Sequence, residues 1–101
     1  MAGSMKVEDR LDGGNNFRAW KHRISITLEE YDLQDFVEQY LPEPEGVEER
    51  SKFRKDRVKV RRILTESIKN NLIPYISEHK NPKAIFDSLA RLYEIRIQVG
   101  R

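Results

Sequence analysis

The chain has 101 residues, 38% of them apolar and 36% charged, with nineteen Lys or Arg against seventeen Asp or Glu and a net charge of +2. That length holds one domain, and the apolar share is enough for a single core, so multi-domain and disordered readings fall away. The near balance of charge gives no bulk reason for a nucleic-acid or membrane partner, and the absence of cysteine removes disulfides, thiol catalysis and thiolate zinc sites.

The opening residues lack the apolar run of a secretory signal, and no later stretch approaches the roughly twenty apolar residues of a membrane helix. A soluble protein with no membrane partner is expected, and the absence of cysteine suits a cytoplasmic location. Met1 to Ser4, before a second methionine at Met5, read as a cloning remnant, so residues 1–5 are set aside.

Leu11 sits in an extended lead-in, and Asp12-Gly13-Gly14 supplies a tight turn after it. Asn15 or Asn16 then caps a helix in which Phe17, Trp20, Ile24, Leu28 and Tyr31 recur every three or four residues. They form one apolar stripe, while Arg18, Lys21, Arg23 and Glu30 face water. Asp32 is expected to cap a shorter helix running through Gln39, with Leu33, Phe36, Val37 and Tyr40 on its apolar face. Leu41-Pro42-Glu43-Pro44-Glu45-Gly46 breaks the pattern and predicts a solvated loop, because two prolines remove donors and bias the residues before them.

A long helix is expected from Val47, with Glu48 and Glu49 placed favourably in its first turn. Phe53, Val60, Leu64 and Ile68 lie on one side, and Val58 and Ile63 widen the stripe. Asn70-Asn71 is its expected stop, after which Leu72, Ile73, Tyr75 and Ile76 form a short apolar element interrupted by Pro74. Asn81-Pro82 reads as a cap with proline at the first helical position, opening a last helix that buries Ile85, Phe86, Leu89, Leu92 and Tyr93. Only Ile95-Arg96-Ile97-Gln98-Val99 alternates as a strand would, and it is taken as a helical continuation or frayed end.

The fold class expected is therefore all-α, a small orthogonal bundle of four to five helices. Its expected core is Phe17, Trp20, Ile24, Leu28, Leu33, Phe36, Val60, Leu64, Ile68, Ile85, Leu89, Leu92 and Tyr93.

Catalytic chemistry finds little to stand on. His22 and His79 have no cysteine, second histidine or HExxH pattern beside them, so surface histidine is a better account than metal binding. Ser25, Ser67, Ser77 and Ser88 lie outside any nucleophile-elbow sequence. Gly13-Gly14 before a helix lacks the second spaced glycine and the Lys-Ser or Lys-Thr pair of a phosphate cradle. Glu29-Glu30 and Glu48-Glu49 are adjacent in sequence and point to different sides of a helix. No enzyme, cofactor, metal or small-molecule substrate is expected.

The one strong charge feature is Arg50, Lys52, Arg54, Lys55, Arg57, Lys59, Arg61 and Arg62. A solvated helix face accounts for most such runs, with Glu48, Glu49, Asp56 and Glu66 at hand to neutralise part of it. Against that stands a weak RNA contact or an electrostatic assembly surface formed by Arg50, Arg54, Lys55, Arg57, Lys59, Arg61 and Arg62. Aromatic side chains do not interleave with these charges as a single-strand stacking platform would require. Trp20 shares the stripe of Phe17 and Ile24, which favours packing over a ligand-anchoring role.

Leu11-Asp12-Gly13 with Asn16-Phe17 and Trp20-Lys21, followed by Leu28-Glu29-Glu30 and Asp32-Leu33, resembles the start of Gag polyproteins from Copia-type LTR retrotransposons. Ile68 to Ile73, then Pro82-Lys83-Ala84-Ile85-Phe86-Asp87-Ser88-Leu89 and Leu92-Tyr93-Glu94, is similar to the N-terminal capsid region of the same family. The resemblance spans about Lys6 to Glu94 and is nearest to plant members, the Pro42-to-Gly46 loop included; residues 6–95 are taken as the domain. Residues 96–101 depart from it and read as a divergent or frayed tail, where a longer protein is cut or a host-captured copy diverges.

The resemblance implies a helical capsid lobe that packs against copies of itself around element RNA, without enzymatic activity. The family's Cys/His knuckle is missing, so RNA recognition is not carried over. Two alternatives stay open: a host-captured adaptor or restrictor of related elements, and a basic-helix RNA-binding module.

Overall fold

The computed structural model describes residues 6–95. The cloning-remnant reading of residues 1–5, the tail 96–101 and most of the strand-like stretch after Ile95 lie outside them. Among the described residues the fold is all-α, and the sole β feature is an isolated parallel bridge between Leu11 and Ile68. Four α-helices carry it: α1 (Phe17–Glu30), α2 (Asp35–Glu38), α3 (Val47–Glu66) and α4 (Pro82–Ala90). Short 3-10 turns cover Val7–Asp9, Gly14–Asn16 and Asn70–Tyr75, and α4 widens into a π-helical turn over Arg91–Ile95.

The helix α1 begins where the sequence indicates, but its entrance is built differently. Asn16 precedes the helix without capping it. Its side chain reaches backwards, accepting from the Asp12 and Gly13 amides at 3.0 and 3.4 Å and donating to the Arg10 carbonyl at 2.8 Å. The turn is closed by this side chain, and neither Gly13 nor Gly14 takes the left-handed conformation that only glycine adopts freely.

Asp32 does not cap α2. It follows α1 with φ 62°, a left-handed position that its short polar side chain tolerates, and the chain turns there through the Leu33 amide donating to the Leu28 carbonyl at 2.8 Å. The helix α2 is then a single turn ending at Glu38, one residue before the expected boundary. Tyr40 falls past its end and is 61% exposed.

The helix α3 ends at Glu66, four residues before the asparagine pair expected to stop it. The reason is non-local. The Leu11 amide donates to the Ser67 carbonyl at 2.8 Å and the Lys69 amide to the Leu11 carbonyl at 3.0 Å, so the backbone after α3 is recruited into a two-strand bridge. Asn70 and Asn71 open the following 3-10 turn instead. At α4 the expected start holds: the Asn81 side chain accepts from the Lys83 amide at 2.9 Å, and Pro82 occupies the first helical position.

The core gathers Leu11, Phe17, Trp20, Ile24, Leu28, Leu33, Val37, Val60, Leu64, Ile68, Leu72, Ile76, Ile85 and Leu89. Phe36 and Tyr93 are packed against it but only partly buried, and Leu92 is half-buried rather than central. Leu11, Val37, Leu72 and Ile76 enter the core without having been expected there. Val58 is 54% exposed and does not widen the apolar stripe, because it stands more than a quarter turn from Val60 and Leu64. The helix α4 lies against both α2 and α3.

Candidate functional site

Two regions draw the chemically able side chains: the aromatic centre that joins α1 to α4 and the turn after it, and the basic helix α3. At the centre, the Trp20 ring lies 5.9 Å from Phe86 of α4 in a stacked arrangement and 5.7 Å from Phe17. Phe17 in turn lies 5.8 Å from Tyr93. Trp20 is fully buried, and its indole N–H donates to the Ser67 hydroxyl at 2.9 Å, which itself donates to the Leu64 carbonyl at 2.7 Å. Ser67 is thereby committed as an internal hydrogen-bond link, since a buried indole N–H needs an acceptor. Trp20 belongs to the interior.

The remaining polar candidates stay dispersed. Ser77 donates to the Pro74 carbonyl and Ser88 to the Tyr75 carbonyl, both at 3.4 Å. His22 is exposed on α1 and His79 is half-buried beyond the 3-10 turn. Among the described residues, no group of three His, Asp or Glu side chains stands close enough to hold a metal ion.

On α3 the basic residues divide by face. Arg50, Arg54 and Arg57 turn toward the loop of residues 41–46. The Glu43 carboxylate accepts from Arg54 Nε at 2.8 Å and from its terminal nitrogen at 3.2 Å, a two-point contact, while Arg57 stands 3.9 Å from the same carboxylate. Arg50 donates to the Pro44 carbonyl at 3.2 Å and the Glu45 carbonyl at 3.0 Å. The hydrogen bond from the Arg54 guanidinium holds the Glu43 carboxyl below its ordinary range; desolvation is the next effect and opposes it, and the charges of Arg54, Arg57 and Arg50 add lesser pulls downward. The loop is therefore a strap pinned to α3, where the sequence suggested only a solvated connection.

The other cations have different tasks. Lys59 lies 4.1 Å above the Tyr31 ring, joining α3 to the end of α1, and Arg57 also covers Phe53 at 5.7 Å. Lys52 pairs with Asp56 at 2.6 Å, and Arg62 stands 4.0 Å from Glu66. Lys55 is exposed and Arg61 half-buried, and neither meets a carboxylate among the described residues. The seven residues singled out on α3 thus do not form one open patch. Glu43 is the arginine acceptor that sequence reasoning missed; its place three residues after Tyr40, the end of the second apolar face, and just before an arginine-rich helix was the available signal.

No family model, curated protein or solved structure gives a significant match to this chain. What stands established, for the described residues, is an all-α domain whose Phe17 and Trp20 are interior and whose basic helix is partly covered by its own loop.

Proposed function

We propose that this chain is a structural self-association module, the N-terminal capsid lobe of a Copia-type Gag protein, with its helices in the orthogonal capsid-like arrangement. In this reading it packs against copies of itself to build a particle around element RNA and does no catalysis. The family resemblance is supported by the meeting of the two stretches that carry it, Leu11 to Leu33 and Ile68 to Glu94, in one core, through Trp20 with Phe86 and Phe17 with Tyr93.

The observation that carries self-association is the outer face of α1. Arg18, Ala19, His22, Arg23, Ile26, Glu29 and Glu30 are all exposed on it, with Ile26 at 52%. Its charges oppose the helix dipole: α1 has no acidic residue in its first turn and no basic residue in its last, with Arg18 near the start and Glu29 and Glu30 at the end. Such placement costs an isolated helix about 0.3–1 kcal/mol per charge. A second copy approaching antiparallel about a two-fold axis level with Ile24 sets Arg18 of each α1 opposite Glu29 and Glu30 of the other, with Ala19, His22 and Ile26 between them. The face is complementary to itself.

The test is light scattering with negative-stain imaging over a concentration series. Arg18→Glu, and separately Glu29→Arg with Glu30→Arg, each abolish association; mixing the two variants restores it. A wild-type chain that stays monomeric at every concentration while binding an unrelated host protein tightly would move the reading to the adaptor.

A further inference from the structure

Arg50, Arg54, Arg57 and Arg61 succeed one another at intervals of four, three and four, so they fall within an arc of about 60° and about 4.5–6 Å apart along the axis of α3. The row is all arginine, whereas Lys52, Lys55 and Lys59 occupy the other side of the helix. The strap supplies an oxygen acceptor to the first three members in turn: the Pro44 and Glu45 carbonyls to Arg50, and the Glu43 carboxylate to Arg54 and Arg57. Arg61 continues the row past the strap with no carboxylate partner among the described residues.

We propose that this arginine row is a binding surface for single-stranded RNA and that Glu43 acts as a built-in competitor, occupying the guanidiniums a phosphodiester backbone would take. Carboxylate and phosphate both accept the two-point arginine fork, so one can replace the other without rearranging Arg54. A regular line of guanidiniums, three of them already facing acceptor oxygens of the strap, matches a polymer that presents one anionic group per unit. RNA gains a first hold at Arg61 and then displaces the carboxylate from Arg57 and Arg54. The contact to be displaced is an exposed ion pair, weak enough for exchange. The inference goes beyond self-association and stands whether or not the chain builds particles.

Anisotropy of a labelled oligouridine, read across a salt series from about 50 to 200 mM, tests it. Glu43→Gln and Glu43→Ala free two arginines, so both should bind roughly 1.5- to 5-fold tighter at low salt, the span an exposed ion pair commands. The log–log salt slope should steepen by about 1.4, two phosphates at about 0.7 each. Adding Arg61→Ala to Glu43→Gln should reverse most of the gain. Glu78→Gln, an equal charge change at an exposed site after the 3-10 turn, should do nothing, and circular dichroism checks that each variant is folded. The proposal is overturned if folded Glu43 variants keep wild-type affinity and slope, or if Glu78→Gln gains as much. It is equally overturned if polyglutamate binds Glu43→Gln as tightly as the RNA does, which would assign the row to an acidic protein segment.

Discussion

Ser67→Ala isolates the hydrogen bond at the centre of the fold. The substitution removes a single oxygen from a residue that is 2% exposed, so it opens almost no cavity. Two bonds disappear: the one accepted from the Trp20 indole at 2.9 Å and the one donated to the Leu64 carbonyl at 2.7 Å. The Leu64 carbonyl keeps the Ser67 backbone amide as a donor at 3.2 Å, whereas the buried indole N–H is left with nothing. The loss is therefore set by an orphaned donor, about 1–3 kcal/mol. In a domain of this size it lowers Tm by roughly 4–8 °C per kcal/mol.

Trp20→Phe removes that donor, so in its background Ser67→Ala should cost only the net value of an ordinary hydrogen bond, about 0.5–1.5 kcal/mol. Urea unfolding followed by far-ultraviolet circular dichroism on the four members of this cycle gives the coupling. If the two losses add within about 0.5 kcal/mol, the serine and the indole are energetically independent and the account of the core given above is wrong.

Leu11→Ala should destabilise the domain by about 2–5 kcal/mol in the same urea assay, because Leu11 is fully buried although it precedes the first long helix. Asn81→Ala should cost about 1 kcal/mol by loss of the α4 cap, read as a lowered urea midpoint with an unchanged slope. Glu43 titrates below its ordinary value of 4.5 in the folded chain, so the strap's ion pairs are fully formed above that pH and are lost as pH falls through the lower folded value. A carbon-13 titration of the Glu43 carboxyl should show the depressed midpoint, and Arg54→Ala should return it toward 4.5.

Features governed by neighbours in sequence were legible. Asn81 and Pro82 make a cap from groups two residues apart, and the stripe of Phe17, Trp20, Ile24 and Leu28 follows directly from helical periodicity. Leu11 was not, because its burial depends on a partner strand at Ser67 to Lys69 that no local pattern announces. The same bridge explains why α3 stops early and why Asn70 and Asn71 mark a turn instead of a terminus. Helix-internal acids were the obvious partners for the α3 arginines, yet the acceptor of Arg54 comes from Glu43, eleven residues away across a proline-containing loop. Ser67 was read among possible nucleophiles, and only the fold brings Trp20 to it. Exposure also had to be seen in three dimensions, since Val58 and Tyr40 continue apolar patterns that the core does not reach.

The sole indole of this chain is fully buried with its N–H held by the Ser67 hydroxyl, which makes it an intrinsic optical gauge. Its emission should be blue-shifted while the interior is closed and move toward the value in water as the helices part. Oligomer formation or ligand capture on the outer helix faces should leave that colour untouched, so a single unlabelled measurement separates events on the surface from loss of the fold.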